Sequence, residues 1–206
     1  VYANSHGFLG TQKGSSHSLS CMLIAQDDKG MQRDYDYTSA RNPVQLRDPE
    51  DVGREAAART LRRLGARKPP TGTFPVLFDP TLAAGLVGHL MGALAGGALY
   101  REASFLCDRL GSPLFPEWMG LEERPMEVGA TASSPFDAEG VQTRDNRFIE
   151  QGRIASYMLS AYSARRLGMQ STGNAGGARN LRLLAPRTPR HELLQQMGRG
   201  IWVTEL

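Results

Sequence analysis

The segment from Thr81 to Leu99 limits the possible folds more than any other part of this sequence. It is the most apolar stretch of the chain and contains no charged side chain, but His89 and several glycines interrupt it. No run of about 18 apolar residues occurs, so a membrane-spanning helix is not expected. Its length and its Leu and Ala content predict a buried helix over 81–97. Because each glycine costs a helix about 1 kcal/mol relative to alanine, the glycines predict close packing of neighbouring backbone.

A β-hairpin and a helix are predicted before this segment. Residues 18–25 and 31–39 are prone to form strands and flank an Asp/Gly turn, which is typical of a hairpin. Residues 1–8 are expected to add another strand to the same sheet. A helix then begins after Asp48, which suits the N-cap, and ends near Gly65.

The rest of the chain predicts alternating short elements. These are a buried strand at 74–78, a helix at 100–110, an irregular stretch at 111–136 anchored by Trp118, a strand, turn and strand at 148–154, a segment at 155–167 that starts as strand and finishes as a short helix, a helix at 191–197 and a closing strand at Ile201. The fold class is therefore α+β, with mainly antiparallel sheets, a buried Gly/Ala-rich helix and flanking helices. We expect two regions, 1–70 and 71–206, within a longer protein that continues beyond both ends.

Composition and charge are those of an ordinary globular protein. The 206 residues are 40% hydrophobic and carry a net charge of +3. The densest basic cluster comprises Arg59, Arg62, Arg63, Arg67 and Lys68. It is either a contact for phosphate or an acidic partner, or the solvated face of a helix. No aromatic residue interleaves with it, so direct nucleic-acid binding is not expected. Cys21 and Cys107 are far apart and predict reduced thiols in a cytoplasmic protein.

Catalytic signatures are missing from the sequence. The four histidines form no HExxH or HExxxH pair, and no GxSxG motif is present. His89, alone on an apolar segment, is expected to be a packed and hydrogen-bonded core residue rather than a metal ligand. Asp137 and Glu139 could serve acid–base chemistry, but a role in a turn or a salt bridge to a nearby arginine is the favoured interpretation.

A glycine-rich loop spans residues 172–177. It matches neither GxxxxGK[ST] nor a GxGxxG motif after a clear strand. Two interpretations stay open: a backbone nest that binds an anion, and a turn whose glycines supply positive φ angles.

An ordered series of short motifs runs through the whole chain. The motifs are Ala3-Asn4-Ser5-His6-Gly7-Phe8, Arg33-Asp34-Tyr35, Ser39-Ala40-Arg41, Gly88-His89-Leu90, Gly96-Gly97-Ala98-Leu99-Tyr100-Arg101, Pro135-Phe136-Asp137-Ala138-Glu139-Gly140, Tyr162-Ser163-Ala164-Arg165, Leu167-Gly168-Met169, Thr172-Gly173-Asn174-Ala175-Gly176-Gly177, Met197-Gly198-Arg199-Gly200 and Val203-Thr204-Glu205-Leu206. Their order and spacing closely resemble the PmbA-type (TldE-type) members of the TldD/PmbA family, also described as modulators of DNA gyrase.

The resemblance implies a metallopeptidase system in which the zinc belongs to a TldD-like partner. The TldD-like side carries HExxxH. Aligning the second histidine of that motif with His89 puts Ala84 at the first histidine and Gly85 at the glutamate. The resemblance therefore implies no catalytic residue, no metal ligand set and no cofactor in this chain.

The function implied is that of a non-catalytic subunit of a metalloprotease complex acting on unfolded peptides. Peptide-antibiotic precursors and antitoxins are the implied substrates, and a TldD-like subunit or a second copy of the chain is the implied partner. Expected contact residues are His89, Arg165, Gly173, Asn174, Gly176 and Gly177. Two alternatives stay open: a regulatory protein that binds gyrase or an antitoxin without proteolysis, and a stand-alone metallopeptidase.

Overall fold

The computed structural model describes residues 1–205, and Leu206, the last residue of the closing motif, lies outside the described residues. The chain divides into two units. The larger unit comprises Val1–Gln12, Thr73–Glu127 and Ala132–Leu206, and the smaller unit comprises Lys13–Gly72 and Val128–Thr131. None of the helices within residues 1–205 is both long and apolar enough to cross a membrane.

The smaller unit is a long hairpin covered on one face by a helix. Strands β3 (His17–Asp27) and β4 (Gly30–Ala40) pair residue for residue. Helix α1 (Pro49–Arg62) begins at its N-cap Asp48 and buries Val52, Ala56 and Thr60. Both the hairpin and the helix confirm the sequence predictions, because alternation and capping are local signals.

Ion pairs within the smaller unit engage most of the basic cluster of α1. Arg59 and Arg62 contact Glu55, and Arg63 contacts Asp34 at 3.4 Å. The buried Asp36 on β4 accepts a hydrogen bond from Arg47 at 2.6 Å. The Arg63–Asp34 contact ties the end of the helix to the hairpin, whereas the contacts with Glu55 lie within α1. Together these contacts favour a structural role for the cluster over phosphate binding.

The larger unit is built around a four-stranded antiparallel sheet of order β8-β7-β6-β9. Its strands are β6 (Gly120–Glu123), β7 (Asn146–Glu150), β8 (Arg153–Ile154) and β9 (Leu181–Leu184). Two small sheets accompany it: β1 (Tyr2–Ala3) with β2 (Leu9–Gly10), and β5 (Val76–Phe78) parallel to β10 (Ile201–Val203). Most strand pairs are antiparallel, and helices accompany the sheets, so the predicted α+β class is confirmed.

The helices of the larger unit are α2 (Pro80–Leu94), α3 (Gly96–Leu99), α4 (Ala161–Arg166) and α5 (Arg190–Met197). The predicted apolar helix is therefore present as α2 and α3, which an extended Ala95 separates. Met91, Leu94 and Leu99 join Leu121, Phe148 and other apolar side chains in one core. Full burial within α2 is confined to its C-terminal end, at Met91 and Leu94, since no residue from 80 to 90 is fully buried.

Glycine packing on the apolar helix differs from the prediction at three positions. A methyl group in place of the hydrogen at Gly85, Gly88 or Gly92 would meet no atom within 4 Å beyond the adjacent backbone of its own helix. Gly96 does satisfy the prediction, since a Cβ there would lie 2.3 Å from Ser163 Oγ and 2.8 Å from Leu159. Close backbone packing therefore occurs at the contact between α3 and α4.

Several predicted elements are wrong. Residues 1–8 do not extend the hairpin sheet, because β1 pairs with β2. Strand β5 is only partly buried. Residues 100–110 form turns, in which Glu102 and Asp108 both have a φ of 56°, so the predicted helix is absent there. Trp118 is 58% exposed and anchors no core.

Strand β6, fully buried, was missed inside the stretch predicted as irregular. Its two adjacent glutamates are typical of an exposed segment rather than of a buried strand. Strand β9, which pairs with β6, was missed as well. The strand, turn and strand around Gln151, the helix α5 and the closing strand β10 are confirmed.

The tight contact at Gly96 yields a prediction with a matched control. Gly96→Ala should lower the free energy of unfolding by about 1–3 kcal/mol, because the new methyl group overlaps Ser163. Gly92→Ala should raise it by up to about 1 kcal/mol, because the site is open and alanine favours the helix. Urea denaturation of both variants measures the difference. Equal stability of the two variants would contradict the close approach.

A second prediction concerns Glu122 on β6. Arg124 donates two hydrogen bonds of 3.0 Å to its carboxylate, and they lower the pKa of Glu122 although burial acts in the opposite direction. The pKa of Glu122 is therefore lower in the folded state than in the unfolded state, where it is about 4.3. The stabilisation that its ionised carboxylate contributes is complete above the unfolded pKa and is lost as the pH falls through the folded pKa. The stability gap between wild type and Glu122→Gln should therefore shrink on acidification. Urea midpoints at neutral and acid pH measure it, and a constant gap would argue against the pair.

Candidate functional site

The positions aligned with the HExxxH motif lie on the outward side of α2. Ala84, Gly85 and His89 are all exposed. The expectation that His89 is a packed, hydrogen-bonded core residue is wrong, since its side chain is exposed and has no hydrogen-bond partner among the described residues. The residues that α2 buries in the core are Met91 and Leu94, so His89 lies on the exposed side of the helix.

The donor set on α2 does not fit a zinc ion. A structural or catalytic zinc site takes three or four His, Cys, Asp or Glu ligands. Ala84 and Gly85 offer no donor atom, and residues 1–205 contain no group of three or more such side chains arranged to hold a metal. The side chains at the positions aligned with the motif therefore do not make up a zinc site by themselves.

The glycine-rich loop is held in place by a buried glutamate. Glu123 of β6 is 1% exposed, and its carboxylate accepts hydrogen bonds from Asn146 Nδ2 at 2.7 Å and from Asn174 Nδ2 at 2.9 Å. The backbone N–H of Arg179 donates a further bond of 2.6 Å. Because an unsatisfied buried carboxylate is costly, these donors bind the loop firmly to the sheet.

A second buried acid fixes the other side of the loop. Asp137, 2% exposed, accepts bonds from the backbone N–H groups of Glu139 and Val141 and, across the loop, of Ala175 at 2.9 Å. Glu139 accepts a bond from the N–H of Ala161 at the start of α4. The favoured interpretation of a turn is confirmed for Asp137, and no ion pair joins either acid to an arginine among the described residues.

Most backbone N–H groups of the loop are already engaged. Those of Gly173, Asn174, Ala175 and Gly177 donate to Ser171, Leu159, Asp137 and Asn174 respectively. The carbonyl groups of Gly173, Ala175 and Gly177 accept bonds from the Arg179 guanidinium. Gly173, Gly176 and Gly177 all have positive φ angles. Of the two open interpretations, these contacts favour the turn over the anion nest.

The segment 158–160 links this loop to the end of α2. Met158 pairs with Ala95 and exchanges backbone hydrogen bonds with Leu94 and Gly96. Next to it, Leu159 accepts a hydrogen bond from the N–H of Asn174 and donates one to Thr172 Oγ1. Backbone hydrogen bonds of this segment therefore join the end of α2 to the loop, although His89 itself lies five residues before Leu94 on the exposed side of the helix.

Arg165 lies apart from the buried network, on the exposed side of α4. Its neighbour Arg166 and Arg101 lie near the ring of Tyr100, which contacts the ring of Tyr162. The six expected contact residues therefore fall into three places: His89 on α2, Arg165 on α4, and the loop. The structure joins the loop to buried acids that the sequence had not singled out, Glu123 above all.

A groove of about 270 Å³ lies on the outer face of the four-stranded sheet. Trp118, Met119, Glu122, Arg147 and Leu184 are among its lining residues. Beside it, β9 forms one edge of the sheet, and its outer side pairs with no other strand in the part of the chain that the structure describes. The signal for this site was weak, because an exposed tryptophan among prolines gives no periodic pattern.

Family models match almost the whole chain. The PmbA/TldA metallopeptidase central domain matches residues 1–64, and the PmbA/TldA metallopeptidase C-terminal domain matches residues 71–206. The chain is 45% identical over 206 residues to "Metalloprotease PmbA" of Escherichia coli O157:H7 and 41% identical over 208 residues to the "Metalloprotease PmbA homolog" of Haemophilus influenzae. These alignments cover 100% of this chain and 46% of each relative, so the chain spans about half the length of the relatives it matches.

Solved structures share the fold. A protein of Bacteroides thetaiotaomicron that bears the name modulator of DNA gyrase superposes with a TM-score of 0.88 at 27% identity, covering 98% of this chain and 46% of that one. TldE of Thermococcus kodakarensis gives a TM-score of 0.82 at 23% identity, covering 98% and 48%, and supports the fold alone. With the family models and the identity to relatives, these matches lead to one conclusion: the chain belongs to the PmbA/TldD (PmbA/TldA) metallopeptidase family.

Proposed function

We propose that this chain is part of a non-catalytic subunit of a TldD/PmbA-type metalloprotease complex, in which it holds unfolded peptides while a TldD-like partner cleaves them. One observation carries the proposal. Helix α2 presents a solitary imidazole, His89, beside Ala84 and Gly85, where an HExxxH motif would supply two ligands and a general base. A methyl group and a hydrogen can neither bind zinc nor activate water.

The edge of the four-stranded sheet suits a peptide-holding role. An extended peptide can add to an unpaired strand through main-chain hydrogen bonds, which tolerate many sequences, while neighbouring pockets accept alternate side chains. Strand β9 offers such an edge, and Leu183 and Leu184 on it are about half exposed. The groove beside Leu184 and Trp118 would take an apolar side chain of the peptide.

The partner is proposed to be a TldD-like subunit that holds the zinc ion, with a second copy of this chain as the alternative. Membership of the PmbA/TldD family supports that association. Leu86 on the exposed side of α2 is 51% exposed and offers apolar surface for such a contact. We place the complex in the cytoplasm, where the free thiols of Cys21 and Cys107 would stay reduced. Peptide-antibiotic precursors and antitoxins are the proposed substrates.

A second candidate function is a stand-alone metallopeptidase. The name metalloprotease of the relatives favours it, and they are about twice as long as this chain, so further ligands could come from outside it. A tightly bound, stoichiometric metal in the purified full-length protein would favour this candidate. A third, regulation of gyrase or an antitoxin without proteolysis, would be favoured by complexes that contain no TldD-like protein.

Peptide cleavage tests the main proposal. The full-length protein alone should cleave no unfolded peptide. Mixing it with a TldD-like partner should give cleavage that a chelator abolishes, because the zinc belongs to the partner. Peptidase assays with and without the chelator measure both. Chelator-sensitive cleavage by the full-length protein alone would refute the non-catalytic role.

The groove provides a second test. Leu184→Asp should raise the KM of the paired complex about tenfold with little change in kcat, because a charge replaces apolar contact at the groove. Leu110→Asp is the matched control, since Leu110 is 44% exposed and lies outside the groove. Equal kinetics of the two variants would remove the groove from peptide binding.

The loop near Asn174 is proposed to lie close to the partner or the peptide channel. Asn174→Leu removes two hydrogen bonds from the buried Glu123 carboxylate, so the unfolding free energy should fall by about 2–4 kcal/mol. Urea denaturation measures this loss, and an unchanged midpoint would contradict the network. Unchanged processing by the paired complex, at a temperature where the variant is folded, would exclude a direct role of the loop.

A further inference from the structure

We propose that an exposed arginine cluster binds a short acidic peptide segment. The cluster comprises Arg101, Arg165 and Arg166 together with Tyr100 and Tyr162. This binding needs neither a partner subunit nor cleavage, so it goes beyond the proposed function and can be tested on its own.

Close packing of α3 against α4 brings the cluster together from two motifs about sixty residues apart. Gly96, at the start of α3, approaches Ser163 of α4 so closely that a Cβ would overlap its hydroxyl group. This approach sets Tyr100, directly after α3, against Tyr162 of α4, with ring centroids 5.7 Å apart and planes at 80°. Edge-to-face contact of this kind holds both rings in a defined geometry.

The ring of Tyr100 positions two of the three guanidinium groups. The Cζ atoms of Arg101 and Arg166 lie 5.4 Å and 5.7 Å from its centroid, within the range of cation–π attraction. A restrained side chain loses less conformational freedom when it binds a ligand. The two arginines are therefore better prepared for an incoming anion than a freely rotating surface arginine.

The positive charge of the cluster is not neutralised within the described chain. Arg101, Arg165 and Arg166 are exposed, and no carboxylate of residues 1–205 forms an ion pair with any of them. Elsewhere, arginines such as Arg63 and Arg124 contact acids directly. Arg165 and Arg166 follow Tyr162 by three and four residues, so they share its side of the helix. Two guanidinium groups at the ring of Tyr100 and the exposed Arg165 on the same side of α4 therefore form one basic surface, and no described carboxylate pairs with it.

Carboxylates of a peptide fit this surface better than nucleic acid does. A guanidinium fork makes two parallel hydrogen bonds to a carboxylate, and three forks match a short run of Asp and Glu side chains. Nucleic-acid binding rests on many phosphate contacts and on aromatic faces free to stack on bases. Three cations are few for that purpose, and Tyr162 and two guanidinium groups already surround the ring of Tyr100.

Fluorescence polarisation with the isolated protein tests the proposal. The probe is a short fluorescein-labelled peptide of alternating Glu and Asp, and its Gln/Asn counterpart is the neutral reference. The acidic peptide should bind, the neutral one should not, and added salt should weaken binding. The combined variant Arg101→Gln, Arg165→Gln and Arg166→Gln should lose about tenfold or more in affinity.

The matched control is Arg33→Gln, Arg187→Gln and Arg199→Gln, which removes the same charge from exposed arginines elsewhere. It should keep nearly wild-type affinity. Arg165→Glu with Arg166→Glu should instead bind a Lys-rich peptide, a gain that only a folded variant can show. Equal losses in both triple variants would overturn the proposal, and so would tighter binding of a single-stranded oligonucleotide than of the acidic peptide. Since no partner subunit is present, the outcome is independent of the cleavage assays.

Discussion

The buried carboxylate of Glu123 is the constraint on which the larger unit depends. Removing a charged group from water is costly unless hydrogen-bond donors replace the lost hydration. Here the donors come from three separate stretches of chain: Asn146 on the neighbouring strand, Asn174 in the glycine-rich loop, and the backbone of Arg179 just before β9. Satisfying one acid therefore fixes the sheet, the loop and the approach to the edge strand relative to each other.

Backbone hydrogen bonds of the segment 158–160 connect this support to the apolar helix. The C-terminal end of helix α2 is tied to the loop through Met158 and Leu159, so hydrogen bonds connect the helix that carries His89 to the loop held by the buried acids. On the exposed side of α2, Ala84 and Gly85 offer no donor atom beside the His89 imidazole. The same α3–α4 contact that closes the core at Gly96 also gathers the arginine cluster on the surface.

Sequence patterns predicted those elements whose stability is mostly local. The hairpin of the smaller unit follows from alternation around an Asp/Gly turn, and α1 follows from its Asp48 cap. The expected turn at Asp137 is present for the same reason. The patterns failed where long-range contacts determine the local structure. Strand β6 was missed because adjacent glutamates such as Glu122 and Glu123 are typical of exposed positions. A helix was predicted at 100–110, where two residues with positive φ angles interrupt helical geometry.

The sequence by itself determined the α+β class, the capped helices and, through its ordered motifs, the resemblance to a family that the comparisons then established. It also determined that Ala84 and Gly85 cannot supply zinc ligands, since that depends on side-chain chemistry alone. Only the tertiary structure decided that His89 faces outward, that Asn174 serves a buried acid, and that Tyr100 meets Tyr162. The reason is physical: burial and hydrogen-bond partnership depend on residues 23 to 62 positions apart in the chain, and no local pattern encodes such contacts.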